Sequence, residues 1–226
     1  MEEGVAKLLR EVRAEAERAQ FPIDEEVYQS TGKDPLEPIL YSGSLHARFC
    51  VVGRDLGRDE VRLGQPQVGA AGRKVRLGLL EAVGIQANAK DRHLEAALEL
   101  ATLTNLVPYK PPGNKAYSSS IRERFRPFLA RLLVNHWQGE RVLTLGTEAF
   151  QWFAQYAEPG AADALWQRED RYEQELPCII RANDGGEERK RSVMVAPLPH
   201  PSPLNQAWIA RFPELLQGHL RRPPAG

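Results

Sequence analysis

The chain has 226 residues, and its 30 lysines and arginines balance 30 aspartates and glutamates, so the formal net charge is zero. That excludes a strongly basic nucleic-acid coat but not a local basic patch. Two cysteines exclude a disulfide framework, and no apolar run approaches membrane-spanning length. With 42 % hydrophobic residues and no signal-peptide core, the expectation is one soluble, cytoplasmic domain over 1–226.

Residues 2 to 19 carry Val5, Leu8, Leu9, Val12, Ala16 and Ala19 at helical spacing, which predicts an amphipathic helix without chemistry of its own. Residues 21 to 47, punctuated by Pro22, Gly32, Pro35, Pro38 and Gly43, read as an irregular connection that hugs the surface or lines a site. Arg48 to Gly53 is the first strand, apolar on both faces and so central in a parallel sheet. It ends in Gly53-Arg54-Asp55-Leu56-Gly57, where paired glycines allow a tight path and a close ligand approach. Asp55 stands just past a strand's carboxyl end, where open α/β sheets bind ligands; the alternative is a simple turn or cap residue.

The stretch Leu63 to Gly72 is glycine-rich without a phosphate-loop pattern, and Arg73 to Val83 reads as a helix. A further helix is expected over 91 to 100, then a strand over 101 to 107 with Asn105 near its end. An asparagine there is disfavoured in a strand and, if buried, needs partners from protein or ligand. Pro108 to Lys115 forms a rigid loop with Lys110 and Lys115, suited to phosphates or simply solvated. Ser118 to Ser120 can cap a helix over 121 to 134. Arg141 to Gly146 is the third strand and hands directly to a helix at Thr147. The polar stretch 158 to 191 contains Asn183-Asp184-Gly185-Gly186, a turn able to tip a hairpin before the fourth strand at Val193 to Ala196.

That strand runs into Pro197-Leu198-Pro199-His200-Pro201-Ser202-Pro203-Leu204-Asn205, whose four prolines stop strand and helix alike. Such a stiff mount presents His200 and Ser202 with little ordering entropy left to lose. The plainer reading is that Ser202 caps, and Pro203 starts, a last helix over 203 to 220, broken at Pro213. Alternating strands and helices predict a three-layer α/β/α sandwich on a four-stranded, mostly parallel sheet. Asp55, Asn105 and His200 then end three different strands on one edge, beside the lysine loop.

His200-Pro201-Ser202-Pro203-Leu204-Asn205 resembles the HPSPLS motif of the uracil-DNA glycosylase superfamily. Gly53-Arg54-Asp55-Leu56-Gly57 is similar to its GQDPY or GEAPG motif, and Gly64 to Gly69 to GRPFVG. Thr104 to Asn114 resembles TNVVKCRPPGN, and Val142 to Gly146 fits the family's central strand. The GRPFVG and TNVVKCRPPGN motifs belong to the family 4 bacterial and archaeal enzymes. The resemblance spans residues 48 to 210 and implies excision of uracil, or another deaminated base, from DNA by hydrolysis of the N-glycosidic bond. It implies that Asp55 and His200 are catalytic and that Arg54, Gln67 and Asn105 meet the base. Lys110, Asn114, Lys115, Ser202 and Leu204 would meet the DNA, with Leu204 filling the gap that a flipped base leaves. A monomer is the expected assembly.

The departures are equally specific. Family 4 enzymes hold an iron–sulfur cluster on four cysteines, but here Tyr109 and the neighbourhood of Phe125 stand at two of those positions. Four thiolates cannot be found, so no metal and no cofactor is expected. Gly57 replaces the tyrosine that excludes thymine's methyl group, and Gln67 the aromatic that stacks on uracil, so hypoxanthine, xanthine or a mispaired base becomes a candidate substrate. Two other classes stand beside the glycosylase: a catalytically silent DNA-binding relative, and a hydrolase triad of Asp55, His200 and Ser202. Against the triad, the chain has no Gly-x-Ser-x-Gly elbow, and Ser202 lies two residues from its base.

Overall fold

A computed structural model describes residues 2–87, 94–113, 115–202 and 205–224. Six strands form one mixed sheet: β1 (Tyr41–Gly43), β2 (Phe49–Gly53), β3 (Ala101–Asn105), β4 (Arg141–Leu145), β5 (Leu176–Asp184) and β6 (Glu187–Leu198). Their spatial order is β1-β3-β2-β4-β6-β5. The four central strands run parallel, as their double-sided apolar character dictates, and every residue of β2, β3 and β4 is buried. The expectation of four strands needs correction, because each edge carries one more, antiparallel strand.

Both additions have local causes. Asn183 to Gly186 does turn a hairpin: β5 pairs with the first half of β6 from Leu176↔Val195 to Asp184↔Glu187. Along β5 the buried residues Leu176, Cys178, Ile180 and Ala182 alternate with exposed ones, the pattern of a strand covered on one face. At the other edge, β1 is three residues long and lies in the segment expected to be irregular. That segment also contains a short helix, α2 (Glu25–Thr31), capped by the Asp24 side chain on the Val27 amide.

Two helical layers cover the sheet. The helices α1 (Glu2–Arg18) and α5 (Ser119–Arg131) pack on one face, where Leu8, Val12, Phe125 and Leu129 meet Cys50, Val52, Val142 and Val195. On the opposite face, α4 (Ala70–Ala82) and α9 (Phe212–Leu220) bring Val75, Leu79, Phe212 and Leu216 against Val51, Leu103, Leu143 and Ala196. Successive strand residues thus feed opposite cores, each fully buried side chain contributing about 1.5–3 kcal/mol of transfer free energy.

Several boundaries differ from the sequence reading. Within 91 to 100 only Leu94 onward is described, and Glu95–Glu99 is a single short 3-10 turn. The C-terminal helix is two: α8 (Gln206–Ile209) and α9, with Pro213 in the first turn of α9 rather than breaking a longer helix. Asn205, not Ser202, precedes α8, so the plain capping role for Ser202 falls away. Among the described residues no helix is long and apolar enough to cross a membrane.

Chain direction fixes where a ligand can sit. After β2 the chain moves outward to β3, and after β4 it moves the other way to β6. The carboxyl ends of β2 and β4 therefore flank the crevice characteristic of parallel α/β sheets.

Candidate active site

That crevice holds a cavity of about 460 Å³, lined among others by Arg54, Asp55, Gln67, Asn105, Lys115, His200 and Ser202. Strand register brings these residues together: Gly53 pairs with Asn105, and Leu145 with Leu198. A second depression shares Arg54, Leu145, His200 and Ser202 and reaches Glu148.

Asp55 is held by its neighbour. Arg54 Nε donates to Asp55 Oδ2 at 2.6 Å, while Oδ1 is buried with no hydrogen-bond partner among the described residues. The aspartate side chain is 7 % exposed. Burial pushes the carboxyl above its ordinary range, and the Arg54 charge and the nearby Tyr117 amide pull it partly back. A buried carboxylate oriented by a neighbouring guanidinium can hold a water or face positive charge.

His200 follows β6 at the cavity rim, on the proline-stiffened loop. The residue is solvent-exposed, although enough protein surrounds its imidazole to desolvate it in part. Desolvation lowers its pKa, only partially at so open a site, and the Arg54 charge acts in the same direction. Both favour the neutral imidazole, which still donates one N–H. Asn205 steadies the loop by donating Nδ2–H to the His200 carbonyl at 3.2 Å, and the Gly146 amide donates to Leu198 O at 2.8 Å.

On the far wall, Asn105 and Gln67 are both buried, 3 % and 5 % exposed. Gln67 Nε2 donates to Asn105 Oδ1 at 3.2 Å and to Thr104 O at 3.3 Å, so both Nε2 hydrogens are committed within the protein.

The expected DNA contacts divide. Lys115 and Ser202 line the cavity, and Lys115 is exposed. Lys110 does not behave as a phosphate ligand. It is 4 % exposed, and its ammonium donates to Asp24 Oδ2 at 2.6 Å, Gly113 O at 2.6 Å and Pro111 O at 3.0 Å. All three of its hydrogens are engaged in tying the loop to α2. Asn114 and Leu204 lie outside the described residues.

Two residues not singled out from the sequence belong to the site. Glu148, in the first turn of α6 (Thr147–Gln151), lies 3.2 Å from both Arg54 Nη1 and Arg122 Nη1, which anchors Arg54. Its signal was present: like Asp55, it sits two residues beyond a strand-ending glycine. Glu60, in α3 (Arg58–Leu63), accepts from the Gly57 amide at 2.7 Å and the Gly69 amide at 3.5 Å, stapling two glycine motifs together. The Glu60 bond to the Gly57 amide is the glutamate half of a capping box, three residues past the helix N-cap.

A model of the uracil DNA glycosylase superfamily matches residues 40–221. The chain belongs to that superfamily. No individually curated protein matches it. Every cavity residue named above falls within the matched span.

Tyr109 and Phe125 pack their rings 5.5 Å apart, and Phe21 packs on them at 5.3 and 5.1 Å. Cys50 and Cys178 are both buried, on β2 and β5, and burial raises both thiols, Cys178 to about 12. The three rings form an aromatic knot beside the 108–115 loop.

Proposed function

We propose that the protein is a monofunctional DNA glycosylase that hydrolyses the N-glycosidic bond of uracil, or another deaminated base, in DNA. The carrying observation is the meeting, on one cavity, of the buried Asp55 side chain and the His200 imidazole, which follow the ends of β2 and β6.

The roles follow from the charges that develop. The damaged nucleotide leaves the stack and enters the cavity. As the C1′–N bond lengthens, its electron pair departs with the base and the sugar gains oxocarbenium character. Asp55 stabilises that cation and orients a water whose oxygen bonds to C1′; the water's proton passes to the carboxylate. His200 donates an N–H to the base oxygen on which negative charge gathers, as an oxyanion hole does. Asn105 reads the base edge. Arg54, fixed by Glu148, holds Asp55 in place. Lys115 and Ser202 face the phosphates.

One observation favours the silent DNA-binding relative: Arg54 occupies one of the two Asp55 oxygens. Oligonucleotide assays separate the readings. Single- and double-stranded substrates carrying uracil, hypoxanthine, xanthine or mispaired thymine are incubated with protein, and alkali-labile abasic sites and free base are measured. Release of at least one deaminated base supports the glycosylase. Damage-dependent binding with no base release from any substrate would make the silent relative the better reading.

A further inference from the structure

We propose that Gln67 sets the hydrogen-bonding sense of the base-reading amide and thereby selects bases that present a carbonyl, not an amino group, at this edge. This rests on the reading of the cavity as a base pocket and gives its selectivity an origin. The Thr104 main-chain oxygen can only accept, so Gln67 must meet it with Nε2. The same Nε2 reaches Asn105, whose facing atom must accept and is therefore Oδ1. Nδ2 is then the remaining polar end of a cavity-lining residue that is 3 % exposed. It is buried with no partner among the described residues. A buried, unpaired N–H donor calls for an acceptor from the ligand.

The surroundings are built to hold this arrangement. Gln67 adopts a left-handed backbone, φ 58°, uncommon for a residue with a side chain. Arg76, itself buried, fixes the turn by donating Nε–H to Gln67 O at 2.9 Å and Nη2–H to Pro66 O at 3.1 Å. A Cβ at Gly72 would fall 2.1 Å from the Gln67 carbonyl. At Gly53 a Cβ would fall 2.2 Å from Asn105 Oδ1 and 2.3 Å from Gln67 Nε2. Both glycines thus leave room for the amide pair.

A base with a carbonyl at this edge, such as uracil, thymine or hypoxanthine, satisfies Nδ2. Cytosine or adenine presents an amino group, and donor would meet donor. Gln67 acts through Asn105 and is a positioning residue. Where related enzymes stack an aromatic, this chain spends the position on amide orientation.

The test uses the full chain and duplexes carrying 2′-fluoro-2′-deoxyuridine or 2′-fluoro-2′-deoxycytidine, whose fluorine destabilises the sugar cation and blocks hydrolysis. The readout is the affinity ratio. The wild type should favour the uridine duplex by about tenfold or more, as expected when a buried donor is left unpaired. Gln67→Met, similar in size but without a donor, frees the amide to turn, and the ratio should fall to about threefold or less. In an Asn105→Leu background the same substitution should leave the ratio unchanged. Thermal unfolding and binding of undamaged duplex monitor folding. In the wild-type protein, the Asn105 side-chain NH₂ resonances should shift with the uridine duplex and not with the cytidine one, which tests the idea without any variant. A wild-type preference that survives Gln67→Met overturns the role of Gln67 while the base pocket stands. Equal wild-type binding of both modified duplexes and of undamaged DNA overturns the base pocket and the inference together.

Discussion

Arg54 Nε lies 2.6 Å from Asp55 Oδ2, and Arg54 Nη1 lies 3.2 Å from Glu148 Oε2, so one guanidinium bridges the carboxylates that follow β2 and β4. The bridge ties together the two strand ends that flank the crevice. It also bears on the charge state of the site, second to burial. Burial raises the Asp55 pKa and Arg54 lowers it, while the same arginine lowers the pKa of His200.

A pH dependence follows. Activity needs Asp55 ionised and His200 neutral, so the rate should rise with pH through both pKa values and then level. Arg54→Gln removes a charge that depresses both pKa values, so both rise. The acid limb of single-turnover rate against pH should therefore move to higher pH in the variant. An unmoved or downward-shifted limb would show that Arg54 does not control these groups.

The two lysines of the 108–115 loop should behave differently. Lys110 is a buried strut, and Lys110→Met removes its bonds to Asp24, Pro111 and Gly113. A cost of about 1.5–3 kcal/mol is expected, visible in thermal unfolding, with the salt dependence of DNA binding unchanged. Lys115→Ala should leave the melting temperature alone and reduce the slope of log affinity against log salt by about 1. Equal effects of the two substitutions on that slope would return Lys110 to the phosphates.

Lys110 shows where sequence reading stops. A lysine in a proline-rich loop reads as solvated, because its partner Asp24 lies 86 residues earlier and nothing local announces it. The parallel strands were legible because runs such as Phe49-Cys50-Val51-Val52 are apolar on both faces, a pattern that only a doubly covered sheet demands. The edge strand β1 was not: Tyr41-Ser42-Gly43 is too short to show any period. Asp55, Asn105 and His200 could be placed on one edge because each ends a strand. Gln67 could not be placed so, since its partners are reached through a left-handed turn that its sequence does not signal.

The Phe21, Tyr109 and Phe125 cluster carries a prediction about metal. Purified protein should be colourless and free of iron, and Phe125→Ala should destabilise it by about 3–5 kcal/mol, as for a core aromatic. Stoichiometric iron, or a broad visible absorption band lost on reduction, would contradict this.

Gly53 should be intolerant for the site rather than for the fold. A methyl group there meets the ends of Asn105 and Gln67, side chains that can move aside. Gly53→Ala should lose base excision by about tenfold or more while shifting the melting temperature by only a few degrees. Strong destabilisation with undiminished activity per folded molecule would contradict the close packing of the amide pair on the strand.

The most direct test of the central claim is single-turnover release of free uracil from a uracil-containing oligonucleotide by the wild type, Asp55→Asn and His200→Ala. Base excision through these two groups predicts that each variant slows release by about 100-fold or more, while affinity for the uracil-containing DNA changes far less. Release at the wild-type rate by both variants would contradict it.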